Sequence, residues 1–293
     1  MIFQGNCSAV ITPFTQDGSK INYNAFKKII DKQIAGNCSA IVFIGTTGES
    51  TTLTRKEKNE LAEFGINYVN KRVPVIVGAG SNNTLEAIEK SQTYEKLGAD
   101  ALLHVTPYYN KCTQKGLIAH YTKIADKVNI PIIMYNVPSR TGVNILPETV
   151  QVLSKHPNIV GIKEASGNID QIAEIIRICP KDFTVYSGDD GIVLPILALG
   201  GKGVISVVGN ILPKTMAKLC KEFFDGKVDQ ARAIQFQINP LVKLLFSEVN
   251  PIPVKTAMNI LGYNEGPCRL PLTSMDSAKK KKLKQYLLSM HLE

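Results

Sequence analysis

The 293 residues are 44% hydrophobic, enough to build one large α/β domain or a barrel with an appendage, which excludes disorder as the default. Lys and Arg number 34 against 25 Asp and Glu, a formal charge of +9 that brings nucleic acid and small anions into view without choosing between them. The six cysteines (Cys7, Cys38, Cys112, Cys179, Cys220, Cys268) make no C-x-x-C pair and have no histidine at ligand spacing, so reduced thiols are expected, with neither a zinc site nor a disulfide framework.

The first ten residues, MIFQGNCSAV, carry no basic region followed by an apolar run, so no secretory signal is expected and a cytoplasmic location is. Short β-like runs then recur in chain order: "SAVITPF" (8–14), "SAIVFIG" (39–45), "VPVIVGAG" (73–80), "ADALLHVTP" (99–107), "IPIIMYNVP" (130–138), "NIVGIKEAS" (158–166), "FTVYSGDD" (183–190) and "KGVISVVGN" (202–210). Their apolar stretches are nearly continuous, the pattern of a parallel sheet covered on both faces. Between them, segments such as 22–36, 54–70 and 83–98 carry apolar residues at i, i+3/i+4 spacing and begin near Asn or Thr caps. Eight strand–helix units predict a (β/α)8 TIM barrel over residues 1–225, a regular count that an open doubly wound sheet fits less well.

Beyond Gly226 the strand pattern stops. Helices are predicted at 227–248, 253–262 and 274–289, a C-terminal helical domain spanning 226–293 and punctuated by prolines. The most membrane-like stretch, 191–212, is interrupted by Pro195, five glycines and Lys202, so no membrane role is expected. The basic run at 279–282 shares its segment with Leu283, Tyr286, Leu287 and Met290 at helical spacing and reads as the solvated face of a terminal helix. No aromatic-interleaved basic motif accompanies it, and no nucleic-acid partner is expected.

Catalytic groups of a barrel come from the C-terminal ends of its strands and the loops that follow. Unusual residues gather there: "GTTGES" (45–50), "TPYYN" (106–110), "YNVPSRTG" (135–142), "KEASG" (163–167) and "SGDDG" (187–191). The sharpest oddity is Lys163, which directly follows the apolar run of the sixth strand. Strand alternation puts Ile159, Gly161 and Lys163 on one face, with Val160, Ile162 and Glu164 on the other. A lysine at its unperturbed pKa of about 10.4 is roughly one part in a thousand neutral near neutral pH, and the neutral amine is the nucleophile. A buried amine therefore suits attack on a carbonyl, while a lysine paired with Glu164 is the structural alternative. Tyr135, Tyr109 and Thr46 lie at or just after strand ends, and a chain of hydroxyls can move the protons that imine formation requires.

"GTTGE" offers glycines and consecutive backbone N–H groups, a nest for a carboxylate, and lacks the G-K-[ST] of a P-loop. "GAGSNN" (78–83) lacks the third glycine of a dinucleotide fingerprint. Arg140 can clamp a second carboxylate. His104, His120, His156 and His291 form no metal spacing. The glycine-rich 200–210 stretch keeps a phosphosugar-binding barrel as a competing reading, since phosphate sites often follow strands seven and eight.

Taken in order and spacing, "GTTGES", "TPYYNKCTQKGL", "YNVPSRTG", "IVGIKEAS" and "YSGDDG" resemble the dihydrodipicolinate synthase (4-hydroxy-tetrahydrodipicolinate synthase) family, within the superfamily of pyruvate-dependent class I aldolases and N-acetylneuraminate lyases, over essentially the whole chain. That resemblance implies an imine between Lys163 and pyruvate, with Tyr135, Thr46 and Tyr109 as proton relay and Tyr109 supplied across a subunit interface. It implies that Thr47 and the 45–49 turn hold the pyruvate carboxylate, that Gly188 and Ile205 line the pocket, and that Arg140 receives the carboxylate of L-aspartate-4-semialdehyde. No metal or organic cofactor is implied, and the usual assembly is a homotetramer, a dimer of dimers. An N-acetylneuraminate lyase or another keto-sugar-acid aldolase is the alternative; the lyase turn is usually "GSTGE" without the "SRTG" arginine, whereas this chain has Thr46 and Arg140. In lysine-inhibited relatives an allosteric pocket includes histidines after the turn; here Ser50, Asn82, Glu86 and Tyr108 match, but Arg55 and Lys58 occupy the histidine places. Two added cations repel a cationic effector, so weak or absent inhibition is expected.

Overall fold

The computed structural model describes residues 1–290, which leaves His291 outside the described residues. Eight parallel strands close into a barrel in sequence order: β1 (Gly5–Ala9), β2 (Ala40–Phe43), β3 (Val75–Gly78), β4 (Ala101–Val105), β5 (Ile132–Asn136), β6 (Ile159–Glu164), β7 (Thr184–Ser187) and β8 (Gly203–Ser206), with β8 pairing back onto β1. Seven lie within the expected runs; β1 starts at Gly5, three residues before its expected run of 8–14, and overlaps it only at Ser8 and Ala9, because its pairing with β8 begins at Gly5 and Gly203. Between and after them lie α1 (Tyr23–Ala35), α2 (Arg55–Val69), α3 (Thr84–Lys96), α4 (Gln114–Ala125), the short α5 (Pro138–Thr141), α6 (Pro147–Leu153), α7 (Ile169–Ile178), α8 (Val193–Leu199) and α9 (Pro213–Phe224). The helices start where the sequence provides N-terminal acceptors: Asn22 caps α1, Asn83 caps α3, and Thr54 and Glu57 form a reciprocal capping box on α2.

Continuous apolar strands make sense because they face two cores. Val42, Ile76, Ile133 and Tyr186 fill the barrel interior, while Ile41, Val77, Ile132 and Val185 pack outward against the helices. The expected alternation fails at the start of β6. The β5–β6 register shifts between Ile132, paired with Ile159, and Ile133, paired with Gly161, so Ile159 joins the outer core and Val160 packs on the inner one. A bulge of this kind sets two residues against one and resets the faces. Gly161 is required at that place, since a Cβ there would meet the Thr184 Oγ1 at 2.3 Å. From Gly161 onward alternation resumes, and Lys163 enters the barrel.

Three further helices follow: α10 (Val228–Leu245), α11 (Ile252–Ile260) and α12 (Ser277–Ser289). Each falls within the expected segment or starts one residue before it, and the 225/226 division lies in the turn between α9 and α10. Helix α10 packs on α9, and α10, α11 and α12 pack against one another. The lysines at 279–282 are exposed along α12, whose Leu283 and Leu287 are buried. Among the described residues no helix is long and apolar enough to cross a membrane; the 191–212 stretch divides into a 3-10 turn, α8, β8 and a second 3-10 turn.

Candidate active site

Strand register builds the centre of the site. Tyr135 on β5, Lys163 on β6 and Tyr186 on β7 are paired neighbours in one layer across the sheet. Lys163 is 5% exposed and its Nζ sits 4.3 Å from the centroid of the Tyr135 ring. Glu164 points the other way and is held outside the barrel, where its carboxylate accepts from Asn136 Nδ2 (2.5 Å), Gln171 Nε2 (3.0 Å) and the Ser166 hydroxyl (2.6 Å). Among the described residues Lys163 therefore has no ion-pair partner, and the Glu164 pairing that the sequence left open does not form. Gly188 makes room for the lysine stem: a Cβ at 188 would stand 2.9 Å from Lys163 Cε.

Above this layer opens a cavity of about 460 Å³. Its wall takes Thr46 and Thr47 from the turn after β2, Tyr135, Ser139 and Arg140 from β5 and α5, Lys163 from β6, and Gly188 and Asp189 from the loop after β7. Arg140 is an exposed side chain at the mouth, on a short helix that begins with Pro138 and ends at Gly142 in the left-handed region. The arrangement joins a desolvated amine, a phenol and a threonine hydroxyl with a guanidinium at the entrance. That set can condense with a keto acid and receive a second anion.

The 45–49 turn is braced from behind. Thr12 Oγ1 donates to Gly48 O (2.7 Å), and Asn250 Nδ2 donates to Thr47 Oγ1 (2.9 Å). Glu49, wholly buried, accepts from Lys255 Nζ (2.7 Å) at one carboxylate oxygen and from the Arg269 backbone N–H (2.9 Å) at the other. Lys255 also donates to Thr12 O (2.9 Å) and lies 4.0 Å from the centre of the Phe14 ring. Burial pushes the Lys255 ammonium down from its ordinary range, and Glu49 pulls the other way. The Arg269 guanidinium closes the outer end with a bidentate pair to Glu57 (2.7 and 2.9 Å), holding that carboxyl below the usual range. Asn250, Lys255 and Arg269 come from the C-terminal region and were missed by the sequence reading. One signal was available: Lys255 interrupts the apolar "PIPVKTAM" as Lys163 interrupts its strand.

The remaining candidates are placed as follows. Ile205 is buried in the barrel interior, and Val207, two residues further on, takes the cavity wall. Tyr109 is 87% exposed with a left-handed backbone (φ 72°), outside the cavity of its own chain. Ser50 lines the active cavity, apart from the other three allosteric candidates. Asn82 Nδ2 donates to Tyr108 O (3.2 Å), and Glu86 is engaged by Lys90 (2.7 Å) and the Ser81 hydroxyl (2.6 Å). Arg55 pairs with Glu89 (3.0 Å), and Lys58 is half-buried, its ammonium pushed down by burial and by Lys90.

His104 and His120 are buried against Ser91 and Thr84, and burial holds them down at about 3 and about 4; His156 contacts Asp126 at 3.1 Å. Among the described residues no group of three His, Cys, Asp or Glu is arranged to hold a metal ion. The phosphate-site reading loses its donors. The backbone N–H groups of Val207 and Val208 are taken by Asp190 Oδ2 (2.9 and 3.0 Å), and that of Gly209 by Ser206 Oγ (2.8 Å).

Comparison with known proteins agrees with this geometry. Residues 2–290 match the model of the dihydrodipicolinate synthetase family. The chain is 52% identical to 4-hydroxy-tetrahydrodipicolinate synthase 1 of Clostridium acetobutylicum, over 97% of this chain and 96% of that protein. A crystal structure of dihydrodipicolinate synthase from Aquifex aeolicus superposes with a TM-score of 0.96 at 43% identity, covering 99% of both chains. That of the Acinetobacter baumannii enzyme, complexed with pyruvate, superposes with a TM-score of 0.97 at 40% identity, covering all of both chains.

Proposed function

The chain belongs to the dihydrodipicolinate synthetase family, and from that premise we propose that it condenses pyruvate with L-aspartate-4-semialdehyde through an imine on Lys163, the 4-hydroxy-tetrahydrodipicolinate synthase reaction of diaminopimelate and lysine biosynthesis. The single observation that carries this reading is the buried amine of Lys163, free of any carboxylate, at the floor of a cavity whose mouth holds Arg140.

The Lys163 amine adds to the pyruvate carbonyl and water leaves, giving the imine. Loss of a methyl proton gives the enamine, whose carbon attacks the aldehyde of the second substrate; the aldehyde oxygen becomes the ring hydroxyl. The substrate's own amine then displaces Lys163 and closes the ring, restoring the free enzyme. Tyr135 and Thr46 carry protons to and from the carbinolamine, Thr47 and the 45–49 turn hold the pyruvate carboxylate, and Arg140 receives that of the aldehyde substrate. Gly188 clears space for the lysine, and Ile205 supports the floor from within the barrel. No organic cofactor or metal is required by this scheme, because the lysine serves as electron sink.

Tyr109 completes the relay from a second copy of the chain; its exposed ring on a strained backbone supports that assignment, with a homotetramer as the expected assembly. The free cysteines suit a cytoplasmic location. Inhibition by lysine is weak or absent, because Lys58 and Lys90 already face Glu86. A sub-millimolar inhibition constant would contradict that.

Incubation with pyruvate and borohydride should add one reduced pyruvyl group to Lys163. A coupled assay should show turnover with aspartate semialdehyde and none with N-acetylneuraminate. Cleavage of N-acetylneuraminate at a comparable rate would overturn the substrate assignment.

A further inference from the structure

The most heavily buried ion pair among the described residues lies outside the reacting layer. Lys255 and Glu49 are 1% and 0% exposed in their side chains, 2.7 Å apart, and join α11 to the turn after β2. A buried pair of this kind is weak evidence of stability, since apolar residues of similar volume often serve as well or better. Its retention calls for another account, and the geometry supplies one. Glu49 adopts a left-handed backbone (φ 53°), and its N–H closes the turn onto Thr46 O (3.1 Å). Its two carboxylate oxygens are fixed by partners on separate parts of the C-terminal region, Lys255 on α11 and the Arg269 backbone. Lys255 in turn ties to Thr12 O, two residues from Phe14 beneath it, while the Thr12 hydroxyl holds Gly48 O. Both ends of the Gly48–Glu49 peptide are therefore anchored to one ammonium and its immediate neighbours, with Thr46 and Thr47 next in the chain facing the cavity.

We propose that Lys255 is a positioning residue for the condensation: acting through Glu49, it sets the place of the turn that receives the pyruvate carboxylate. It touches no reacting atom. The inference rests on the Schiff-base reading above and adds to it a residue of the C-terminal region on which the keto-acid subsite depends.

The test separates position from mere stability. Lys255→Met alone strands a buried carboxylate and can fail to fold, so the informative variant is Lys255→Met combined with Glu49→Gln, which leaves no uncompensated charge. Glu57→Gln, which breaks the Arg269 pair at the outer end of the same contact, is the control. In the folded double variant the KM for pyruvate, and the pyruvate concentration giving half-maximal borohydride trapping, should rise by about tenfold or more, with kcat reduced less than roughly threefold and the aldehyde KM changed less than roughly twofold. The control should lower the unfolding midpoint while its pyruvate KM stays within about twofold of wild type. A double variant that folds and keeps its pyruvate KM within about twofold overturns the proposal, as does a control that shifts pyruvate KM equally. Wild-type protein that pyruvate and borohydride leave unmodified overturns the Schiff-base reading and this proposal together; wild-type trapping with an unmoved variant overturns the positioning role alone.

Discussion

Two lysines are buried in this protein, one inside the barrel and one beneath its C-terminal helices, and their surroundings divide them. Lys163 and Lys255 are 5% and 1% exposed, and each rests near an aromatic ring, at 4.3 and 4.0 Å from its centre. Lys255 has a carboxylate at 2.7 Å and a backbone carbonyl at 2.9 Å; Lys163 has neither, because Glu164 is turned outward and satisfied by Asn136, Gln171 and Ser166. Burial alone therefore does not identify a reactive amine. The partner does: an ammonium locked to a carboxylate fixes architecture, while a buried amine that faces a cavity without a counter-charge is available to form a covalent bond.

The contrast breaks most visibly at Lys163. Lys163→Ala should lower kcat by on the order of a thousandfold or more and abolish pyruvyl labelling, while the unfolding midpoint holds or rises. A fall in that midpoint comparable to the loss at Lys255 would erase the distinction. Lys255→Met should do the reverse, costing about 3–5 kcal/mol in denaturant titration by leaving Glu49 unpaired, yet labelling at saturating pyruvate should persist in whatever fraction folds. Gly188→Ala sharpens the reactive side. The added methyl meets Lys163 Cε at 2.9 Å, so kcat/KM should drop by up to about a hundredfold, with far less change in stability than Lys255→Met.

The remaining test concerns stability against pH at a neighbour of Lys255. Burial pushes the Glu265 carboxyl from its ordinary 4.5 up to about 8, with Lys255 and Lys32 pulling it down. The folded chain then keeps a proton that the unfolded chain releases, so this group's contribution to stability falls as pH rises from about 4.5 to about 8 and levels off above. Glu265→Gln should remove that slope. Each pKa unit corresponds to about 1.4 kcal/mol, so wild type should lose several degrees of unfolding midpoint relative to the variant between about pH 5 and pH 8. Parallel curves for the two proteins would count against it.

Much of this was legible in the chain. Eight apolar runs with capped helices between them leave few alternatives to a closed barrel, and residues at or after the ends of strands two, five, six and seven line one cavity because the fold gathers those ends. Two failures have physical causes. The face of Ile159 depends on a bulge set by pairing with β5, which periodicity along one strand does not contain. The brace on the 45–49 turn arrives from more than 200 residues away, and only the misfit of a lysine in an apolar helix marks it locally.

Asp190 supplies a last consequence. With one oxygen it occupies the Val207 and Val208 amides, in the place where many barrels leave such groups open to an incoming phosphate. The fold thereby stoppers its own second anion socket from inside. The anion-receiving groups that stay open are then those of the cavity wall, where the guanidinium of Arg140 stands at the rim, so the barrel is specialised by what it fills as much as by what it exposes.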